Sequence, residues 1–271
     1  MNGGTQKKAI IIGASEEALH TIKKAHENGL FVTALDGNPA ASGLAAADKA
    51  LVVDISDERA TIEAVRKEDP DFVLTVPIGR YLTTIGMVND TLQLPGISRE
   101  MAEKCTDKWL FHEILVQKGL RNCHCYPAGK IKEKRDTGSV AFREEIPEDK
   151  LTFPAILKPR FGSGSRGIHM LFSKEDLERG LSEIGEEDYI LEECIAGEEY
   201  GIDGAVIGGK FHLILLRKKK NTPFPARQAV AYFSILPEDP FYGQAREYME
   251  AVIEAMGLDE CLLHADLIQG E

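Results

Sequence analysis

The segment FPAILKPRFGSGSRGIHMLFSKEDLERGL, residues 153–181, decides the fold of the second half of the chain. Gly162, Gly164 and Gly167 fall on the spacing G-x-G-x-x-G, which in dinucleotide-binding proteins joins a strand to a helix. That helix must begin on the glycines, because its first amides and its dipole hold the pyrophosphate. Here GIHMLFS alternates like a second strand, and helical spacing starts only at SKEDLERGL. We therefore predict that the glycines connect two strands.

The basic residues around these glycines indicate a phosphate site of another kind. A P-loop also fails to match, because its lysine follows the last glycine, whereas Lys158 precedes this segment. A hairpin tip of glycine and serine presents unobstructed backbone N–H groups, while the adjoining strand aims a lysine at the same anion. A flexible surface hairpin would explain the glycines, but not why Lys158, Arg160 and Arg166 are gathered around them. We therefore predict a flap that closes over phosphates.

The composition is that of an ordinary folded protein with an acidic balance. The chain has 271 residues, of which 43% are hydrophobic, so we expect two domains, or a domain with a lid. Its formal charge of −12 argues against general affinity for nucleic acid, which depends on lysines and arginines that displace counterions from phosphates. Any anion site must therefore be locally basic.

The termini and the cysteines predict the compartment. Neither terminus carries an apolar run long enough to cross a bilayer, and the first residues, MNGGTQKKAIIIG, lack a signal-peptide cleavage pattern. The five cysteines are an odd number scattered through the chain, unlike a secreted disulfide framework. We therefore expect a cytoplasmic protein with reduced thiols, no membrane partner and no nucleic-acid partner.

Residues 1–97 alternate between strand and helix patterns, beginning with the strand KKAIIIGAS and the helix EEALHTIKKAHENG. This alternation predicts an open parallel α/β domain. Only Gly13 lies in the first turn, where a dinucleotide site needs three glycines, so we expect a scaffold without a bound cofactor. Gly79 and Arg80 follow a later strand and could meet a substrate, with a surface arginine as the equally weighted alternative.

After residue 97 the pattern changes to two helical stretches, SREMAEKC and TDKWLFHEILVQKG. Ser98 and Thr106 are the N-cap candidates for these helices. Further along, YILEECIAGEEYGIDGAVIGGKFHLILLR predicts three strands, with turns at Gly197 and at Gly208–Gly209. The second half is therefore predicted to be α+β.

Four glutamates surround the first of these turns: Glu192, Glu193, Glu198 and Glu199. Taken alone, such glutamates are solvated turn residues. Beside a triphosphate they would repel it, whereas the neutral end of a nucleotide offers an amine and ribose hydroxyls as hydrogen-bond donors to carboxylates. We therefore place them at that end of a nucleotide.

Four motifs in this order resemble the ATP-grasp superfamily: Lys108 in TDKWLFHEIL, the glycine segment, ILEECIAGEEYGIDG and LLHADLI. The resemblance implies that residues 1–97 are a Rossmann-like substrate domain of the pre-ATP-grasp type and residues 98–271 an α+β ATP-grasp domain. In that domain, residues from about 126 to 190 would form the lid subdomain. Residues from about 191 to 271 would form part of the C-terminal subdomain, incomplete at its end.

The resemblance also implies a site for ATP and Mg²⁺. Lys108 and Lys158 look like the two nucleotide-binding lysines, and Glu199 like the acid that binds ribose. Asp266 resembles the first Mg²⁺ ligand. The phosphate loop would consist of Ser163, Gly164, Ser165, Arg166 and Gly167. The adenine-binding linker would consist of Glu192, Glu193, Cys194 and Ile195.

Members of the superfamily mostly use ATP to phosphorylate a carboxylate, and an amine or thiol then attacks the acyl phosphate. The resemblance thus implies a carboxylate–amine (or thiol) ligase with small-molecule carboxylate and amine substrates, in a family where homodimers are common. The chemistry is mainly electrostatic, so no side-chain nucleophile is assigned. A non-catalytic ATP-binding module is the alternative, and the strand after the glycines disfavours a Rossmann dehydrogenase.

The sequence departs from the family pattern at its end. The family has a second metal-binding acid on a further strand, whereas this chain stops at Glu271, so we expect a truncated piece of a longer protein; loss of the metal centre is the alternative. Three other residues stay open. His264 either touches phosphate or metal or is a packed histidine, and Arg217 or Arg227 either binds the substrate carboxylate or is a surface charge.

Overall fold

The computed structural model describes residues 6–74, 81–128, 151–162, 166–184, 187–223 and 228–270. The chain forms two compact units, Met1–Thr106 and Asp107–Glu271. The helix that follows residue 97 belongs to the first unit, because its Ala102 is fully buried in that unit's core. The interpretation of the units as a substrate domain and an ATP-grasp domain, with its boundary after residue 97, stays a prediction.

The described residues of the first unit form one parallel four-stranded sheet in the order β3-β2-β1-β4, as the alternating pattern predicts, together with five helices. The elements are β1 (Lys8–Ile12), α1 (Ala18–Glu27), β2 (Phe31–Asp36), α2 (Ser42–Ala46), β3 (Lys49–Val52), α3 (Glu58–Glu68), β4 (Phe72–Leu74), α4 (Leu82–Leu92) and α5 (Arg99–Thr106).

The sheet of the first unit is covered on both faces. Ile11 of β1 packs with Ala18 and Ile22 of α1 on one face, while Ile10 and Ile12 pack on the other face, where α3, α4 and α5 lie. A strand buried on both faces reads as a continuous apolar run, which explains the sequence AIII. The predicted substrate residues Gly79 and Arg80 lie outside the described residues.

Within the described part of the second unit, the strands form two antiparallel four-stranded sheets. Sheet 2 has the order β5-β8-β6-β7 and packs on α7, and sheet 3 has the order β11-β10-β9-β12 and packs on α6 and α8. The elements are α6 (Lys108–Gln117), β5 (Cys125–Ala128), β6 (Ala155–Pro159), β7 (His169–Leu171), α7 (Lys174–Ile184), β8 (Tyr189–Glu193), β9 (Glu198–Ile207), β10 (Lys210–Asn221), β11 (Ala229–Ser234), α8 (Pro240–Met256) and β12 (Cys261–Gln269).

The glycine segment connects two strands, as the sequence predicts. β6 pairs antiparallel with β7, with Ala155 opposite Leu171 and Leu157 opposite His169. Helix α7 begins only at Lys174, after the second strand has ended. The geometry of a dinucleotide-binding turn, with a helix that starts on the last glycine, is therefore absent from this part of the described chain.

The three strands predicted after residue 188 are present, but they do not form one sheet. β8 pairs with β5 and β6 in sheet 2, whereas β9 pairs with β10 and β12 in sheet 3. The predicted turn at Gly197 is therefore a linker between two sheets. Gly208 and Gly209 form a true hairpin turn, with φ angles of 58° and 71° that favour glycine.

Candidate functional site

A buried carboxylate shared by two cations lies at the centre of sheet 2. Glu192 of β8 is only 5% exposed, and it pairs through one oxygen with Lys158 of β6 and through the other with Arg121. A charge in the interior must be paired, because desolvation would otherwise cost several kcal/mol. The three side chains therefore form one interdependent cluster.

Glu192 is held in its ionised form. Burial by itself would raise the pKa of this carboxyl, but the charges of Lys158 and Arg121 outweigh burial and lower the pKa from its ordinary value. The carboxylate is an acceptor with about four lone-pair sites, so two cations do not exhaust its capacity. Glu192 can therefore accept a further donor.

Sequence reasoning missed Arg121, which lies between α6 and β5. Its Nε donates to the Sγ of Cys123 at 2.9 Å, and this contact and Glu192 fix the guanidinium. The one available signal was a charged residue two positions before the segment CHCYPA, in which Cys123, Cys125 and Ala128 are buried.

Lys108 lies at the start of α6, beside the glycine segment. Its Nζ donates to the carbonyl of Gly162 at 2.9 Å and lies 3.3 Å from the carbonyl of Arg160. Burial lowers the pKa of Lys108, and the charge of Lys158 lowers it further. Two predicted nucleotide-binding lysines thus lie within each other's electrostatic field, as expected around an anion site.

Asp107 joins the start of α6 to the end of β6. Its Oδ1 caps the helix by accepting from the backbone amides of Trp109 and Leu110, at 3.0 and 3.2 Å. Both of its oxygens also hold the guanidinium of Arg160, at 2.7 and 2.6 Å. This bidentate pair fixes the strand that leads into the glycine segment.

The prediction of Thr106 as the cap of α6 is wrong by one residue. Thr106 ends α5, and its Oγ1 donates to the carbonyl of Ala102 at 2.8 Å. A carboxylate at the next position accepts from two amides and an arginine at once, which a hydroxyl cannot do. Ser98 does cap α5, because its Oγ accepts from the amide of Met101 at 3.2 Å.

The described part of the glycine segment requires glycine at its end. Gly167 has φ 69°, and a Cβ there would lie 2.7 Å from the Oη of Tyr189 and 3.1 Å from Pro159. Arg166 is exposed. Three predicted loop residues lie outside the described residues: Ser163, Gly164 and Ser165.

Glu193 is the last residue of β8 before the linker between the sheets, and its side chain has a structural role. Its carboxylate accepts from the amide of His124 at 2.7 Å and from the Oγ1 of Thr152 at 2.9 Å. The amide of Cys194 donates to the carbonyl of Pro154 at 3.1 Å. If the linker binds a base, Glu193 therefore contributes backbone atoms rather than its carboxylate.

Glu199 follows the linker and lines a cleft of about 370 Å³ at one end of sheet 3. The cleft is formed by residues of the linker, of β9 and of the end of β10: Ala196, Gly197, Glu198, Glu199, Lys218, Lys219, Asn221 and Thr222. Donors and acceptors face this cleft together, which suits a hydroxyl-rich ligand group.

Asp266 lies on the outer face of sheet 3, opposite the face that packs on α8. Its side chain is 65% exposed and forms an ion pair with Lys219. His264 lies two residues before it on the same face, as strand alternation predicts, with its Nδ1 2.7 Å from Asp203. The side chain of His264 is 55% exposed, so the alternative of a packed histidine is wrong.

The cysteines near the buried carboxylate are structural. Cys123 and Cys125 are buried. Burial, and secondly the charge of Glu192, raise the pKa of Cys125 to about 12, so its thiolate is not accessible at neutral pH. Across the residues that the structure describes, no helix is long and apolar enough to span a membrane.

Comparisons with known proteins point to one family. Residues 151–271 match the model of the ATP-grasp domain. The formate-dependent phosphoribosylglycinamide formyltransferase of Methanocaldococcus jannaschii is 25% identical over 175 residues, which cover 64% of this chain and 42% of that protein. The D-alanine–D-alanine ligase of Bacillus anthracis is 29% identical over 152 residues, 54% of this chain and 46% of that protein. The chain thus spans less than half the length of these curated relatives.

Solved structures share the fold over nearly the whole chain. The L-amino acid ligase from Bacillus licheniformis superposes on this chain with a TM-score of 0.78 at 20% sequence identity. The match covers 99% of this chain and 64% of the ligase chain. The N5-carboxyaminoimidazole synthetase from Staphylococcus aureus complexed with ADP has a TM-score of 0.77 at 16% sequence identity. That match covers 100% of this chain and 69% of the synthetase chain.

Proposed function

This chain belongs to the ATP-grasp superfamily, and from that premise we propose that the protein binds ATP and uses it to join a carboxylate to an amine or a thiol. The observation that carries the proposal is the pair Lys108 and Lys158. These lysines come from different elements, the charge of one lowers the pKa of the other, and both lie beside the glycine segment. Two ammonium groups held together in this way are stabilised by a bound polyphosphate.

In this proposal, the triphosphate lies between the two lysines and the glycine segment. An ammonium group has three donors, so Lys158 can keep Glu192 and still donate to a phosphate oxygen. The backbone of the phosphate loop would supply further N–H groups, at Arg166 and Gly167 in the described part and at Ser163, Gly164 and Ser165 outside it.

The base and the ribose are assigned to the glutamates and the linker. Glu192, which stays ionised, would accept from the exocyclic amine of adenine. The backbone of Glu193, Cys194 and Ile195 would pair with the edge of the base through atoms other than the amides of Glu193 and Cys194, which donate to the carbonyls of His124 and Pro154. Glu199 in the cleft would accept from a ribose hydroxyl. Support for the last role comes from the mixed donors and acceptors that line that cleft.

The donor chemistry of Asp266 fits Mg²⁺, because its exposed carboxylate is a hard oxygen ligand of the kind Mg²⁺ prefers. Among the described residues, no group of three His, Cys, Asp or Glu side chains able to hold a metal occurs. When bound, Mg²⁺ neutralises charge on the transferred phosphoryl group.

The reaction in this proposal has two steps. A carboxylate oxygen attacks the γ-phosphorus, the bond to the bridging oxygen breaks, and ADP leaves. The amine then attacks the acyl carbon and loses a proton, and inorganic phosphate leaves. Lys108 and Lys158 stabilise charge in the first step by position alone, so no side-chain nucleophile is needed. The proposal also includes the cytoplasmic location, which the termini and the cysteines predict, and a homodimer, which the family resemblance implies.

The test measures ADP release by the complete gene product against a panel of amino acids and small carboxylates. Release that depends on a pair of substrates is the expected result. ATP binding without turnover under every combination would contradict the ligase and favour a non-catalytic binding module. Lys158→Ala should abolish turnover, whereas Lys210→Ala, at an exposed position of the β9–β10 hairpin, should leave it unchanged.

A further inference from the structure

Cys123 and Cys194 lie at the two ends of the chain segment that forms sheet 2. The four described strands of this sheet and helix α7 all lie between the two cysteines in the sequence. Cys123 precedes β5, where the chain enters the sheet, and Cys194 follows β8, where the chain leaves for the linker to sheet 3. A bond between the two side chains would therefore tie the entrance of sheet 2 to its exit.

The pairing of β5 with β8 brings the two cysteines opposite each other. The ladder pairs Cys125 with Glu192. One position further along, the amide of Glu193 donates to the carbonyl of His124 at 3.1 Å, so the register extends beyond the ladder. In an antiparallel pair, the next positions along the two strands are residues 123 and 194.

The two cysteines form a pair of the type that has no backbone hydrogen bonds between its members. The amide of Cys194 donates to the carbonyl of Pro154 at 3.1 Å, beside β6, and so points away from β5. In such pairs the Cα atoms are about 4.5 Å apart, which lies within the range of about 4.4–6.8 Å found across disulfides. The backbones of Cys123 and Cys194 are therefore close enough for a disulfide.

Arg121 indicates that the side chain of Cys123 lies on the same face of sheet 2 as that of Cys194. The Nε of Arg121 donates to the Sγ of Cys123 at 2.9 Å, while a terminal nitrogen of the same guanidinium pairs with Glu192. The Cys123 thiol therefore lies on the Glu192 side of the sheet. Because side chains alternate along a strand, Glu192 and Cys194 share that face.

The two thiols differ in accessibility, and a third thiol nearby is excluded. Cys194 is half-buried, so a small reagent can reach it, whereas Cys123 is buried. Cys125 is also buried, and its pKa is raised to about 12, first by burial and then by the charge of Glu192. Because a thiolate is the attacking species in disulfide exchange, Cys125 takes no part at neutral pH.

We propose that Cys123 and Cys194 are a redox-active pair whose disulfide locks the connection between sheet 2 and the linker. The structure holds the reduced state, in which Cys123 has a structural role as an acceptor for Arg121. In the oxidised state, the first residue of the linker is bonded to the segment that leads into β5. The inference goes beyond the proposed function and does not depend on it, since it uses only contacts within sheet 2 and its two ends.

The oxidant is a low-molecular-weight disulfide such as glutathione disulfide. The thiolate of Cys194 attacks one sulfur of this compound, its S–S bond breaks, and one glutathione leaves as a thiolate that takes up a proton. The thiolate of Cys123 then attacks the sulfur of Cys194 in the mixed disulfide and releases the second glutathione in the same way. The two cysteines lose two protons and two electrons, and the reagent gains both.

Disulfide mapping of the protein after equilibration with glutathione disulfide tests the pair. The parent protein carries Cys105→Ser, which removes an exposed thiol of the first unit, and the remaining thiols are blocked before digestion without reduction. The expected product is a cross-linked pair of peptides that contain Cys123 and Cys194. No reaction at Cys194, glutathione retained there, or a bond from either residue to Cys125 would each overturn the proposal.

Two serine variants of the parent protein separate the steps. Cys123→Ser should stop at the mixed disulfide, so glutathione should remain on Cys194, whereas Cys125→Ser should form the same internal bond as the parent. Loss of the internal bond in Cys125→Ser, or no uptake of glutathione by Cys123→Ser, would contradict the assignment. If either variant fails to fold, the map of the parent protein distinguishes the three possible pairings and decides.

Hydrogen exchange of the linker measures the effect of the lock. The amides of Ile195 and Ala196 should exchange several-fold more slowly in the oxidised parent protein than in the reduced one, because a bond at Cys194 restricts local opening. Cys123→Ser treated with the same reagent is the control and should show no slowing. Equal exchange in the oxidised and reduced parent protein would refute the lock even where the disulfide forms.

Discussion

Arg121 forms an ion pair with Glu192, a carboxylate 71 positions away in the sequence and almost wholly buried. The pair joins the end of the connection after α6 to the middle of sheet 2. Because Lys158 holds the other oxygen of the same carboxylate, the stability of the sheet and the position of a predicted nucleotide-binding lysine depend on one another.

Arg121→Met should destabilise the second unit by about 3 kcal/mol, because it leaves a buried carboxylate with one cation instead of two. Urea unfolding measures this change. Adding Glu192→Gln to Arg121→Met should restore part of the loss, since the uncompensated charge is then removed. Equal stability of Arg121→Met and the wild type would show that the pair does not stabilise the fold.

Acid should destabilise the second unit through Glu192. Its pKa is lowered in the folded protein, so its contribution to stability is present at neutral pH and is lost as the pH falls below the ordinary value of 4.5 and through the folded pKa. The free energy of unfolding of Glu192→Gln should therefore depend less on pH in this range. Glu178→Gln, at an exposed position of α7, is the control and should keep the wild-type dependence.

The variants Asp107→Asn and Asp107→Ala separate the cap of α6 from the pair with Arg160. Asparagine keeps an oxygen for the cap but loses the charge, whereas alanine loses both, so stability should fall in the order wild type, asparagine, alanine. Loss of the cap alone costs about 1 kcal/mol. Thermal unfolding measures the order, and Asp57→Ala, which removes only a cap from α3, provides the comparison.

Gly167→Ala should be more harmful than Gly208→Ala. The two glycines have similar positive φ angles, 69° and 58°, but only a Cβ at Gly167 would meet other atoms, at 2.7 Å from Tyr189. Both variants lose about 1 kcal/mol to backbone strain, and overpacking adds about 1–3 kcal/mol at Gly167. Chemical unfolding of the two variants measures the difference, and equal losses would mean that the contact is relieved without cost.

The sequence predicts the strand–glycine–strand connection because local periodicity encodes it. GIHMLFS has the period of a strand, and no tertiary contact is needed to distinguish it from a helix. The same is true of the parallel sheet in the first unit. The order of the motifs predicted that Lys108 and Lys158 belong to one nucleotide site. In the structure, the charge of Lys158 lowers the pKa of Lys108.

The contacts that sequence reasoning missed are those set by distant pairing. Nothing local indicates that Arg121 meets Glu192, or that β8 and β9 belong to different sheets on either side of a four-residue linker. Asp107 was missed for another reason. Its carboxylate caps α6 and also pairs with Arg160, which favours it over the neighbouring Thr106 as the cap. Arg160 is 53 residues away in the sequence, so no local pattern indicates this pair.

Calorimetric titration of ADP into the wild type, Lys158→Ala and Lys210→Ala tests the central claim most directly. Lys158→Ala should weaken ADP binding by about 10- to 100-fold, the loss of one charge-assisted contact. Because this variant also leaves Glu192 with one cation instead of two, the titration is run at a temperature well below its unfolding transition. Lys210→Ala should bind ADP like the wild type. An unchanged affinity in Lys158→Ala would contradict the assignment of this lysine to the phosphates, and with it the nucleotide site.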